Sequence, residues 1–287
     1  MPPAHALLLV ALCAIWGFAQ VTMKWGGEGI SPLVQTGLRS LLAIPFLLVW
    51  CRWRGVTLLR RDGTLPAGLL AGALFSAEFF CIFRALELTS AARVVVLLYT
   101  APFFAVIGTH FLTGTDRLTP RKLAGLGLAF LSLPVLFADR LGAPLDAALW
   151  GDVIGLASGM FWGATITVIK ASGLQRIASE RTLLYQLGVS ALLIPLGFAV
   201  GEAGVFAPTP RVLGSLAFQV LGVAVVSYIA WFWLVRRHAA SAFAPYLFLT
   251  PAFGVAFSAA LLGEPVTPAL LASVALVGAG IWVVNRS

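Results

Sequence analysis

The sequence predicts an all-α membrane protein, ten transmembrane helices built as two inverted five-helix repeats around a central cavity. Three observations predict it. First, hydrophobic residues make up 60% of the 287 and charged residues only 10%, with a mean hydropathy of +0.97. Soluble domains carry about 25% charge, so this chain has too little to cover a water-facing surface. Second, apolar stretches long enough to cross a bilayer follow one another with short breaks. Third, features of the first half recur in order in the second.

A bilayer-spanning helix needs roughly 20 mostly apolar residues. Such segments run near 4–25, 31–51, 65–86, 91–112, 120–138, 149–170, 180–200, 211–234, 239–262 and 268–285. Turn residues separate them: Gly26-Gly27 with Ser31-Pro32, Thr119-Pro120, Pro208 with Pro210, and Thr267-Pro268. Spans three and four nearly touch at Thr89-Ser90. No connection is long enough to fold separately, so 1–287 is expected to be a single transmembrane domain, with repeats over about 4–138 and about 149–285. The first span is expected to remain in the protein. It is too long for a signal peptide, carries no Lys or Arg ahead of it, and is followed at once by a second span. Cys13 lacks the basic leader that a lipoprotein cleavage site needs.

The net charge of +8 is spread in short clusters between apolar segments, with no basic face or arm. That pattern sets membrane orientation and does not point to nucleic acid. With the N-terminus inside, thirteen Lys and Arg fall on the cytoplasmic connections, five on the outer ones, and Arg39 inside a span. Both termini are therefore expected in the cytoplasm. Cys13, Cys51 and Cys81 form no CxxC pair, which argues against a disulfide framework or a metal site. His5, His110 and His238 form no HExxH, and no GxxxxGK[ST] loop or Ser-His-Asp set is present. No catalytic residue, metal or cofactor is expected.

The internal repeat is read from ordered matches. Trp16-Gly17 and Lys24 recur as Trp162-Gly163 and Lys170, a shift of 146 residues. Pro45 recurs as Pro195, Tyr99 and Pro102 find Phe248 and Pro251, and Thr119-Pro120 recurs as Thr267-Pro268, with shifts of 150, 149 and 148. Five spans is an odd number, so the second half enters the bilayer from the opposite face. Two such halves can exchange roles about a central site, the sequence signature of a secondary transporter.

Charges inside a bilayer are costly and mark function by default. Arg39 in span two and Glu78 in span three each lie about eight residues from the same membrane face, roughly 12 Å deep at ~1.5 Å per residue. They are placed to pair, with Gln20 slightly shallower in span one. Two readings stand: an ion pair that fixes helix packing, or a substrate or proton contact in the outer half of a cavity. The second half offers Tyr185 at the position of Arg39 and Tyr228 at that of Glu78.

The early Trp16-Gly17, Arg39 within span two, Pro102 after Tyr99, and the Gly263-Glu264-Pro265 turn with Thr267 resemble the drug/metabolite transporter superfamily, EamA type, over essentially the whole chain. The resemblance is closest to the bacterial exporters of aromatic and other amino acids. The first half departs from the family's Gly-Glu turn, reading Gly114-Thr115-Asp116-Arg117. The resemblance implies a bacterial cytoplasmic (inner) membrane location, a small-molecule substrate and the lipid bilayer as environment; the oligomeric state stays open, a monomer being one of the options. It implies that spans 1–4 and 6–9 enclose the cavity, with spans 5 and 10 at the periphery. Trp16, Phe79, Phe83, Tyr99, Phe103, Trp162, Tyr228, Trp231, Tyr246 and Phe248 then fall in cavity-forming spans. Trp and Tyr also gather at headgroup depth, but Trp16 and Trp162 are mid-span, symmetric and each followed by glycine, and Tyr99 is mid-span. Gly151, Gly155, Gly159 and Gly163 form a four-residue stripe that admits a close helix neighbour. Pro102 and Pro251 are expected to kink their helices, as hinges or as packing adaptations. The function implied is export of amino acids or related metabolites. Drug or purine efflux is the alternative, and a channel or membrane-embedded enzyme the rival class.

Overall fold

The computed structural model describes residues 2–58, 62–114, 119–138, 146–235, 237–238 and 243–285. Regular structure among them is helical, apart from one isolated antiparallel pairing of Ile30 with Val205. Helices α1 (Pro3–Gly27), α2 (Pro32–Arg54) and α3 (Leu65–Leu88) are single long rods. The fourth span divides into α4 (Ala91–Leu98) and α5 (Ala101–Thr113). Helices α6 (Pro120–Phe137) and α7 (Ala147–Ala171) follow, and the seventh span divides into α8 (Ser179–Ala191) and α9 (Leu193–Ala199). The eighth passes from α10 (Pro210–Ala217) through a π-helical stretch, Phe218–Ser227, into α11 (Tyr228–Val235). The short α12 (Ala244–Leu247), α13 (Leu249–Leu262) and α14 (Pro268–Asn285) complete the chain.

Among the described residues, eight helical segments are long and apolar enough to cross a membrane, and the two after them, Leu249–Leu262 and Pro268–Val284, are apolar but shorter. The ninth segment differs from the expected 239–262: a break at Phe248 separates α12 from α13, and 239–242 lie outside the described residues. Also outside them are Thr115, Asp116 and Arg117 of the first-half turn, and the orientation cations Arg60, Arg61, Arg140, Arg236 and Arg286. Large apolar side chains such as Phe46, Val49, Phe111, Leu131, Met160 and Leu192 lie exposed around the bundle. No water-soluble surface tolerates so wide an apolar belt, and this is a multi-pass membrane protein.

The sequence punctuates the helices as their ends require. Proline occupies the first turn of α1, α2, α3, α5, α6 and α10, where its missing N–H goes unneeded. Side-chain oxygens of Ser90, Thr119, Asp146 and Thr209 accept the first free amides of α4, α6, α7 and α10. Gly55 and Gly263 end α2 and α13 in the left-handed conformation, φ 66° at each, that only glycine adopts without cost.

Helix α4 is buried on every side, all eight residues. A helix buried on every face, its one charge Arg93 paired to Asp152, belongs at the centre of a bundle, and the rest is arranged around it. The glycine stripe of α7 makes this possible. A Cβ at Gly151 would meet Leu88 at 2.8 Å, at Gly159 the Leu97 carbonyl at 2.7 Å, and at Gly163 Phe104 at 2.6 Å. The stripe therefore lies against the end of α3 and the α4–α5 break. Gly17 of α1 meets α13 in the same way, at the Gly254 amide. Helices α6 and α14 pack on each other through Gly125 and Gly280 at the edge of the bundle.

Candidate functional site

Arg39 of α2 is 1% exposed. Its guanidinium lies 3.7 Å from the centroid of the Phe79 ring and 6.0 Å from that of Phe75. The two rings are themselves 4.7 Å apart. None of its three nitrogens has a hydrogen-bond partner among the described residues. The direct Arg39–Glu78 ion pair expected from their shared depth is not formed. The reason is helical geometry: successive residues diverge by about 100° around the axis, and Phe79 takes the face toward Arg39. Glu78, 5% exposed, and Tyr228 still face the guanidinium closely enough to act on it electrostatically.

Tyr228 is delivered by the π-helical stretch that ends one residue before it. Such stretches alter the register of the side chains that follow and recur at functional sites. Ser227 hydrogen-bonds back to the Val223 carbonyl and accepts the indole N–H of Trp16 at 2.9 Å. Trp16 also meets Trp231 edge-on at 5.5 Å. Gln20, one turn along α1, is buried with its Oε1 unpartnered among the described residues.

Tyr99 lies at the α4–α5 break, just ahead of Pro102, where the regular ladder is interrupted. Its ring meets Trp162 edge-on at 5.5 Å, and its polar neighbours are Thr250, Cys13 and Glu78. The centre of the bundle thus gathers Trp16, Arg39, Glu78, Phe79, Tyr99, Trp162 and Tyr228. A narrow cleft lies between α2, α8 and the eighth span, lined by Phe46, Leu47, Trp50, Leu183, Ala224 and Tyr228 among others.

Other residues proposed from sequence lie elsewhere. Phe103 is 1% exposed and reaches Gly280 of α14, and Phe248 lies over Gly278 of the same helix, so both belong to the packing of the edge helices. Tyr185 packs its ring on Gly68 and directs its hydroxyl to Thr64 and Arg181, remote from Arg39. Phe83 is core. Trp231 and Tyr246 pack with Trp16 against Leu9, Leu12 and Phe243, and so border the centre at Trp16. Two histidines that look scattered in sequence, His5 and His238, meet at 2.7 Å.

Charged pairs that the sequence alone does not reveal brace the bundle. Asp152, 0% exposed in the first turns of α7, holds Arg93 Nε at 2.9 and 3.0 Å and accepts from Thr89 at 2.8 Å. Its neighbour Arg93 looks like a loop cation when only span ends are counted. Arg181 of α8 grips Asp62 of the α2–α3 loop. Arg181 and Thr64 beside Asp62 hold its carboxyl well below the usual range.

At the Lys24 end, Glu264 accepts from Lys24 at 2.7 Å, from Ser258 at 2.6 Å, and from the Ala91 and Ala92 amides of α4 at 2.9 and 3.1 Å. Burial pushes its carboxyl up, but these bonds outweigh burial and hold it below the usual range. Glu202 likewise accepts the first amides of α2, from Leu33 and Val34. The Gln35 and Gln219 amides donate to the Met23 and Thr22 carbonyls of α1. This end of the bundle is closed.

The comparisons agree with this architecture. The EamA-like transporter family model matches twice, over residues 4–138 and 149–286. An uncharacterized transporter of Archaeoglobus fulgidus is 26% identical over 261 residues, covering 90% of this chain and 89% of that protein. A probable amino-acid metabolite efflux pump of Salmonella typhimurium is 27% identical over 298 residues, covering 99% and 95%. A solved crystal structure shares the fold with a TM-score of 0.69 at 19% identity, covering 99% of this chain and 96% of its own. With both halves of the helical bundle matched, the chain belongs to the EamA-like transporter family of the drug/metabolite transporter superfamily.

Proposed function

We propose that this transporter exports amino acids, aromatic ones among them, or related small metabolites by alternating access about the centre of the bundle. The observation that carries the reading is the buried cluster of Arg39, Glu78, Tyr99, Trp162 and Tyr228: polar groups on an apolar and aromatic lining, sealed at the Lys24 end. Apolar cavities with a few placed polar groups are how proteins bind amphipathic small molecules. The ten-span inverted repeat is part of the same proposal. Helices of equivalent rank pack on one another across the halves: α2 on α8 and α9, α4 on α13, α6 on α14. A two-fold axis in the membrane plane produces that pattern. Orientation with both termini in the cytoplasm of a bacterial inner membrane follows the distribution of Lys and Arg.

The breaks before Pro102 and Pro251 are the hinges in this scheme, and the α7 stripe at Gly155, Gly159 and Gly163 is the surface on which span four moves. The test is uptake by liposomes holding the purified protein, screened with labelled amino acids, nucleosides and a cationic drug. Saturable uptake of amino acids supports the proposal. Uptake of the drug or nucleosides alone assigns the chain to the alternative.

A further inference from the structure

We propose that Arg39 is the carboxylate anchor of the transport site, with Glu78 receiving the substrate's ammonium group, so that the site takes free amino acids and rejects amines. The inference rests on reading the bundle centre as the place where substrate binds. It starts from a contrast among three buried arginines. Arg93 is bound to Asp152, and Arg181 to Asp62. The fold therefore supplies a carboxylate to each arginine that braces helices. Arg39 is buried more completely than either, and among the described residues no carboxylate lies within ion-pair distance of it.

The geometry shows what is left open. Phe79 covers the flat face of the guanidinium at 3.7 Å. Stacking uses that face only; the N–H donors point outward in the plane, and here all three nitrogens lack acceptors. The planar fork matches the two oxygens of a carboxylate, and such bidentate, charge-assisted bonds are strong in a low dielectric. Tyr228 is the polar neighbour that acts on the guanidinium most strongly. Glu78, one residue from Phe79, makes no ion pair with Arg39 but lies near enough to act on it electrostatically. A free amino acid carries its carboxylate and ammonium on one carbon, which suits a guanidinium and a carboxyl group held near each other but not joined. Bound between them, the zwitterion satisfies both.

The test compares phenylalanine with two analogues: phenylalaninamide, which lacks the carboxylate, and phenylpropionate, which lacks the ammonium. Full-length protein in liposomes is assayed for exchange of labelled phenylalanine, with each analogue as competitor. The wild type is expected to bind phenylalaninamide at least ~10-fold more weakly than phenylalanine, as sites that pair a buried polar group reject ligands lacking its partner. Phenylpropionate should retain measurable competition. Arg39→Lys keeps the charge but not the fork and should lose about tenfold in affinity; Arg39→Gln should abolish the preference for phenylalanine over its amide. Thermal unfolding of each variant separates these effects from misfolding. Equal competition by phenylalanine and its amide in the wild type overturns the proposal, as does a preference that survives in well-folded Arg39→Lys and Arg39→Gln. If amino acids are not carried and another solute is, the amino-acid reading fails separately. The same pair of experiments, with that solute and its form lacking an anionic group, then decides whether Arg39 is an anion anchor.

Discussion

Glu264→Ala should open the Lys24 end of the protein. In the structure its carboxylate accepts four hydrogen bonds, from Lys24, Ser258 and the first two amides of α4. Loss of a helix N-terminal acceptor costs about 1 kcal/mol. The bonds from Lys24 and Ser258 add about 1–3 kcal/mol, the Lys24 share discounted because that side chain is 32% exposed. A total of about 2–4 kcal/mol shifts the closed-to-open ratio by roughly 30- to 700-fold at about 1.4 kcal/mol per factor of ten. The reporter is a cysteine at Ala91, 0% exposed at this closure, in a protein whose Cys13, Cys51 and Cys81 have been replaced by alanine. Labelling by a membrane-impermeant maleimide from the Lys24 side should accelerate at least ~10-fold in Glu264→Ala and less in Glu264→Gln, which keeps one acceptor. The carboxyl is held below its ordinary value, so its contribution is complete above the ordinary glutamate range and is lost as pH falls through the depressed value. Labelling of the parent should therefore be flat from neutral pH down to that range and rise only in stronger acid. Unchanged labelling in folded Glu264→Ala would refute the reasoning, because the bonds would then not hold the closure.

Asp152→Ala strands Arg93 in the interior and should cost about 3–5 kcal/mol, read as a lowered unfolding temperature in detergent. Tyr99→Ala and Trp162→Ala should weaken transport of aromatic substrates several-fold more than that of small ones, since edge-on aromatic contacts are worth about 0.5–1.5 kcal/mol; an equal loss for all substrates would point to blocked motion. Tags on both termini, and a cysteine placed in the connection between Arg52 and Gly63, should react from the cytoplasmic side only. Labelling of that connection from outside would reverse the assigned orientation.

Much of the bundle is legible in the sequence because membrane helices need long apolar runs and their ends need proline, glycine and small polar caps. Trp16, Tyr99 and Trp162 stand out for similar reasons, being aromatic and next to glycine or proline at mid-span. The centre is harder to read. The polar residues of the eighth span, Ser215, Gln219 and Ser227, recur at multiples of four as in an ordinary α-helix, so nothing in the pattern betrays the π-helical stretch ahead of Tyr228. Depth alone placed Glu78 beside Arg39, but rotation about the helix decides contact, and it favours Phe79. Phe103 and Phe248 look like cavity residues until α14 is seen against them. Arg93 and Asp152 sit near span ends 59 residues apart, where charges are ordinary, and only the fold shows that both are buried. Lys24 and the Gly263-Glu264 turn were each noticeable, yet nothing short of tertiary structure joins residues 240 apart.

The most direct measurement of the central claim is counterflow. Liposomes holding the purified protein and preloaded with unlabelled phenylalanine are diluted into a trace of labelled phenylalanine. A carrier whose central site faces each side in turn should accumulate label transiently above equilibrium, with a rate that saturates in substrate. Uptake that never exceeds equilibrium and rises linearly with concentration, or recovery of chemically altered phenylalanine, would contradict the account.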